Sequence, residues 1–150
     1  MPVLCGKRYF QKKGFWQHAA VWLIVIYGLG EGIGSGLFPY DHTASGLTLS
    51  GKLHNVFSGI GVAALVLLPL SLWRVFPKQE FPGMNACIHF VGWSGLLLVF
   101  VFMLSRQNIL PLKGLWQRLF ILDYYILMIV IAMDMLVTHF RAGPTPVKRH

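Results

Sequence analysis

Residues 54–76 read HNVFSGIGVAALVLLPLSLWRVF, and this stretch settles what kind of chain this is. It is close to the about 20 apolar residues that an α-helix needs to cross a hydrocarbon layer of about 30 Å. Three more apolar stretches recur at roughly even spacing, at 15–38, 86–105 and 115–140, and the last, being longest, should tilt or protrude. Over 150 residues, 55% are hydrophobic and 12% charged, the balance of a membrane protein. Strands are not expected, because period-two alternation is absent and an open sheet leaves its backbone unsatisfied in lipid. The expected fold class is therefore an all-α membrane protein, an antiparallel bundle of four transmembrane helices with short loops, forming one integral membrane domain over 1–150.

Basic residues set the expected orientation. Nine of the 13 lysines and arginines fall on one side: Lys7, Arg8, Lys12 and Lys13 ahead of the first span, Arg74 and Lys78 at the second loop, and Arg141, Lys148 and Arg149 in the tail. Lys52, Arg106, Lys113 and Arg118 fall on the other. Both termini are thus expected in the cytoplasm, with the chain in the cytoplasmic (inner) membrane. The net charge of +8 forms a collar against anionic lipid headgroups, and no nucleic-acid partner is implied. Cys5 and Cys87 fall on the cytoplasmic side, where no structural disulfide is expected. The first apolar stretch is too long for a signal-peptide core and lacks a small-residue cleavage site, so it should stay in the mature protein.

Small residues mark where helices can approach. Gly28, Gly32 and Gly36 form one row at four-residue spacing and Gly30 and Gly34 a second, so the first span presents two overlapping small-xxx-small faces. Ser58, Gly59 and Gly61 continue the theme on the second span, and Gly92, Ser94 and Gly95 on the third.

Only five residues are acidic, and Glu31, Asp123 and Asp134 fall inside predicted spans, where each costs about 2.5–3.5 kcal/mol on insertion scales. At about 1.5 Å per residue, Glu31 lies about 12 Å below Pro39 and Asp123 about 12 Å below Leu115, so the two can share one depth. With Asp41 just outside the first helix, His54 at the start of the second and Arg118 about one turn into the fourth, they form a candidate outer cluster. Asp134 follows Asp123 by almost three turns and shares its helix face, but about 16 Å separates them, too far for a carboxylate pair. Asp134 is expected to pair near the inner surface, with His18, His89 or a basic residue. An internal salt-bridge network among Glu31, Asp123 and Arg118 would explain the burial of those groups equally well.

His18, His89 and His139 lie near the cytoplasmic ends of three different helices, and His42 and His54 on the outer side. No HExxH or Cys-x-x-Cys spacing accompanies them, so neither a metal nor another cofactor is expected. In the outer cluster, Asp41 and His54 could hold a metal or activate water, with Glu31 as acid or base and Arg118 on an anionic headgroup. Against that chemistry, Asp41 after a proline also reads as a turn residue, and His54-Asn55 as a helix start. Ser35 and Ser58 read as small polar residues on packing faces, unmarked as nucleophiles.

Three segments, Gly36-Leu37-Phe38-Pro39-Tyr40-Asp41, Gly51-Lys52-Leu53-His54-Asn55 and Gly114-Leu115-Trp116-Gln117-Arg118-Leu119, together resemble a prokaryotic family of multi-pass membrane proteins, domain of unknown function (DUF) 998. The resemblance runs from about residue 22 to 137 and marks Gly36, Phe38, Pro39, Asp41, Gly51, His54, Gly114 and Arg118. Members usually carry further helices before the first motif, so this chain reads as a short form, or as one completed by a second copy or a partner membrane protein. Glu31 aligns with no family feature. The family has no established activity, so the resemblance implies a fold and a set of motif positions but no reaction.

The expected role is binding or sensing a lipid or small molecule in an outward-facing polar pocket of Asp41, His54 and Arg118, floored by Glu31 and Asp123. The alternatives are a membrane-embedded lipid hydrolase or transferase built on Asp41, His54 and Glu31, and a proton-coupled transporter subunit with Glu31, Asp123 and Asp134 as relay steps.

Overall fold

The computed structural model describes residues 14–44, 46–107 and 109–141. Lys7, Arg8, Lys12, Lys13, Lys148, Arg149 and Cys5 lie outside the described residues, as do the side chains of His139 and Arg141. Four helices are long and apolar enough to cross a membrane: α1 (Phe15–Leu37), α2 (Leu49–Val75), α3 (Pro82–Arg106) and α4 (Lys113–Arg141). Large apolar side chains such as Trp22, Ile33, Leu70, Phe90 and Leu97 are exposed along them. That outward surface suits lipid and would be costly in water.

The chain divides into two compact units, residues 15–96 and the residues from 97 onward. In the first unit α1 packs on α2. Ala20 and Tyr27 of α1 are buried, as are Val62, Leu65, Leu68 and Leu72 of α2. The approach is closest at glycine: a Cβ on Gly30 would stand 2.7 Å from the Phe57 carbonyl oxygen and 3.0 Å from Gly61 N, and one on Gly34 would enter the Phe57 ring. Gly28, Gly32 and Gly36 meet no atom within 4 Å among the described residues, so the second glycine row alone forms this contact.

Where one uniform α-helix was expected, α1 contains a π-helical segment, Gly28–Gly34, closed by the Ser35 N–H donating to the Gly30 carbonyl. Wider π turns are rare and concentrate at functional sites. Two-residue strands β1 (His42–Thr43) and β2 (Gly46–Leu47) pair antiparallel in the α1–α2 connection, contrary to the expectation of no strands. Gly46 supplies the positive φ of 123° at this turn.

Helices α2, α3 and α4 begin earlier than expected. Thr48 caps α2, its hydroxyl accepting from Gly51 N at 3.1 Å, so His54 stands inside the helix rather than at its start. Pro82 opens α3 at the first helical position, which needs no N–H donor. Buried Asn85 donates to the Phe76 carbonyl at 2.8 Å, tying the start of α3 to the end of α2. In the second unit, the Ser105 hydroxyl donates to the Leu110 carbonyl at 3.1 Å. Phe120, Tyr124 and Leu127 form the fully buried stripe of α4.

Candidate functional site

The end of α1, the short hairpin and the first turns of α2 build a polar junction, and its hub is a residue that sequence reasoning assigned to packing. The Ser35 hydroxyl lies 3.2 Å from Glu31 Oε2 and 3.1 Å from the Gly30 carbonyl, its single hydrogen serving one acceptor or the other. The Ser35 carbonyl in turn lies 3.1 Å from His54 Nδ1, which also stands 2.8 Å from the Phe38 carbonyl. Only an N–H can face two carbonyls, so Nδ1 carries a proton, and in the neutral ring Nε2 is the bare acceptor. His54 thereby satisfies carbonyls that the end of α1 leaves without intrahelical partners.

Aromatic rings flank this junction. Phe38 stacks on Phe57 with centroids 5.6 Å apart, and Tyr40 meets His54 edge-on at 5.7 Å and His42 at 6.0 Å. The Asp41 carbonyl accepts from Thr48 N and from the Thr48 hydroxyl, both at 3.3 Å, while Ser50 Oγ donates to the Pro39 carbonyl at 3.2 Å. Gly51 lies under the Asp41 carbonyl, where any Cβ would collide with that oxygen.

Of the expected site residues, Glu31 and His54 are half-buried and joined through Ser35, and Asp41 is exposed at the junction with its backbone engaged. Arg118 and Asp123 belong to the second unit, on α4. Arg118 is exposed and Asp123 half-buried, and five positions apart they point about 140° from one another around the helix. Asp134 is half-buried on the Asp123 face. His89 makes its ring contact with Trp73, at 4.5 Å, and His18 is exposed. Among the described residues no three His, Cys, Asp or Glu side chains gather in a way that could hold a metal ion.

Sequence reasoning missed Thr48 and Phe57, read Ser35 only as a packing residue, and named Gly61 as the packing glycine that it is. Ser35 carried one usable signal, its position four residues after Glu31. Thr48, just before an apolar run, carried the residue type of a cap.

Fold and junction together define a helical multi-pass membrane protein whose first two spans are bound by a polar array at one end. The chain matches the family described as "Protein of unknown function (DUF998)" over residues 4–134 and belongs to it. The match takes in residues ahead of Trp22, where the motif-based resemblance began, and encloses every motif position named above. No curated protein and no solved structure is similar to the chain.

Proposed function

We propose that the chain binds or senses a lipid or small molecule at the α1–α2 junction, with His54 Nε2 and the Glu31 and Asp41 carboxylates as the polar contacts. The observation that carries this reading is the pair of carbonyls on His54 Nδ1, at 2.8 and 3.1 Å, which fixes the ring and leaves Nε2 as an acceptor among aromatic walls. Small-molecule sites commonly combine such walls with a few fixed polar groups. The three named groups are acceptors when the carboxylates are ionised, so the matching ligand presents hydroxyl or ammonium donors. The positive-inside distribution supports a reading in which this end lies on the outer face of the cytoplasmic membrane.

Native mass spectrometry of detergent-purified protein, with elemental analysis of the same sample, tests the reading on wild type and His54→Asn. Asparagine keeps an N–H donor for the two carbonyls and removes the Nε2 acceptor. A small molecule or lipid retained by wild type and lost from a folded His54→Asn chain supports the proposal. Equal retention by both, or a ligand-free chain in both, overturns it.

A lipid hydrolase is the second reading, because a backbone-oriented imidazole with a bare Nε2 is also the geometry of a general base. Lipid cleavage by wild type that His54→Asn abolishes would favour it over binding alone.

A further inference from the structure

At the other end of α2, nineteen residues and about 28 Å along the helix from His54, α2 and α3 enclose a lateral groove of about 270 Å³. Its walls are Val66, Leu70 and Trp73 from α2 and Ile88, Trp93 and Leu96 from α3. Gly92 permits a close approach here, since a Cβ on it would stand 3.3 Å from Pro69 Cβ. Leu70 is 55% and Trp93 71% exposed, so the groove opens sideways from segments apolar enough to span a membrane.

His89 is the one titratable side chain in this lining. It is half-buried and edge-on to Trp73 at 4.5 Å, and among the described residues neither of its ring nitrogens has a hydrogen-bond partner. A neutral imidazole presents one N–H and one lone pair, and both can meet a polar group that enters the groove. The same end of the groove leads to positive charge. Outside the lining itself, Arg74 follows Trp73 in sequence, its guanidinium 5.6 Å from the centre of the Trp16 ring of α1, and Lys78 and the acid Glu80 lie in the connection to α3. Tryptophans beside basic residues are the usual furniture of a lipid headgroup region.

We propose that this groove binds one anionic phospholipid, an acyl chain lying along the apolar walls and the headgroup end meeting His89 and the basic rim of Arg74 and Lys78. The site is separate from the α1–α2 junction and uses none of its residues. Apolar lining accounts for the chain, the unpaired imidazole for a polar group at that depth, and the basic rim for the sign of the headgroup.

Delipidated protein titrated with phosphatidylglycerol and, separately, with phosphatidylcholine of identical chains, read by native mass spectrometry, tests this. One phosphatidylglycerol per chain should bind about tenfold more tightly than phosphatidylcholine. Arg74→Gln should remove most of that preference. His89→Phe, which keeps the ring contact with Trp73, should weaken phosphatidylglycerol about tenfold, and Leu70→Trp should block both lipids by filling the groove. His54→Asn should leave lipid binding here unchanged, so failure of this site and failure of the junction are distinguishable. Equal affinity for the two lipids, undiminished binding in a folded His89→Phe chain, or a second copy of the chain in place of lipid would overturn the proposal. If Leu70→Trp fails to fold, Arg74→Gln and His89→Phe decide.

Discussion

The two glycine rows of α1 have the same composition and the same four-residue spacing, yet only one of them packs against described residues. Gly30 and Gly34 meet Phe57 and Gly61 of α2, whereas Gly28, Gly32 and Gly36 meet nothing within 4 Å among the described residues. Glu31 separates the rows in effect: its Cβ lies where a Cβ on Gly61 would come within 3.1 Å, and its carboxylate takes the Ser35 hydroxyl. A small-residue motif is thus a permission for close approach, and the partner surface determines which copy is used.

The contrast is sharpest under substitution. Gly30→Ala sets a methyl against the Phe57 backbone, which cannot rotate away, and should destabilise by about 1–3 kcal/mol or more, read as a large drop in melting temperature in detergent. Gly34→Ala sets a methyl into Phe57 Cγ and 2.8 Å from Phe57 Cβ, the root of the side chain, which ring rotation does not clear, so its loss should be comparable. At the polar end of the same interface, His54→Ala strips the donor from two carbonyls and should cost about 1–3 kcal/mol in the same melt, while His54→Asn should recover much of it.

Elsewhere, Asn85→Ala removes the 2.8 Å donor to the Phe76 carbonyl and should cost about 1–3 kcal/mol, showing how far stability depends on the opposite end of α2. The smallest effects belong to the other glycine row. Gly28→Ala and Gly32→Ala should be neutral or stabilise by up to about 1 kcal/mol, since alanine favours helix where space is open. A loss at Gly32 as large as that at Gly30 would break the comparison. Tyr124→Phe offers a control in the second unit. Its hydroxyl is buried with no hydrogen-bond partner among the described residues, so removing it should not lower the melting temperature.

The four spans were legible because apolar length is a local property, and α1 begins at Phe15 as read. The other starts slipped for reasons that are also local but faint. Thr48 and Pro82 are good opening residues for a helix, but the polar stretches around them masked helical turns that project beyond the apolar core. The hairpin at His42 and Gly46 is two residues per strand, too short for alternation to register. The π segment was not legible, because glycine permits it without requiring it. At the candidate site, Glu31 and His54 were recognisable as costly groups in lipid, but Ser35 as the residue joining them depends on a turn geometry that spacing alone does not specify.

His54 holds the α1–α2 junction through Nδ1–H and offers Nε2 as an acceptor. Nitrogen-15 NMR of histidine-labelled protein, with His54→Asn identifying the His54 signals, reads that tautomer directly. His54 should show a proton on Nδ1, with an Nε2 shift that moves when ligand is added. A ring protonated at Nε2 alone would contradict it, because a bare Nδ1 cannot face the carbonyls of Ser35 and Phe38.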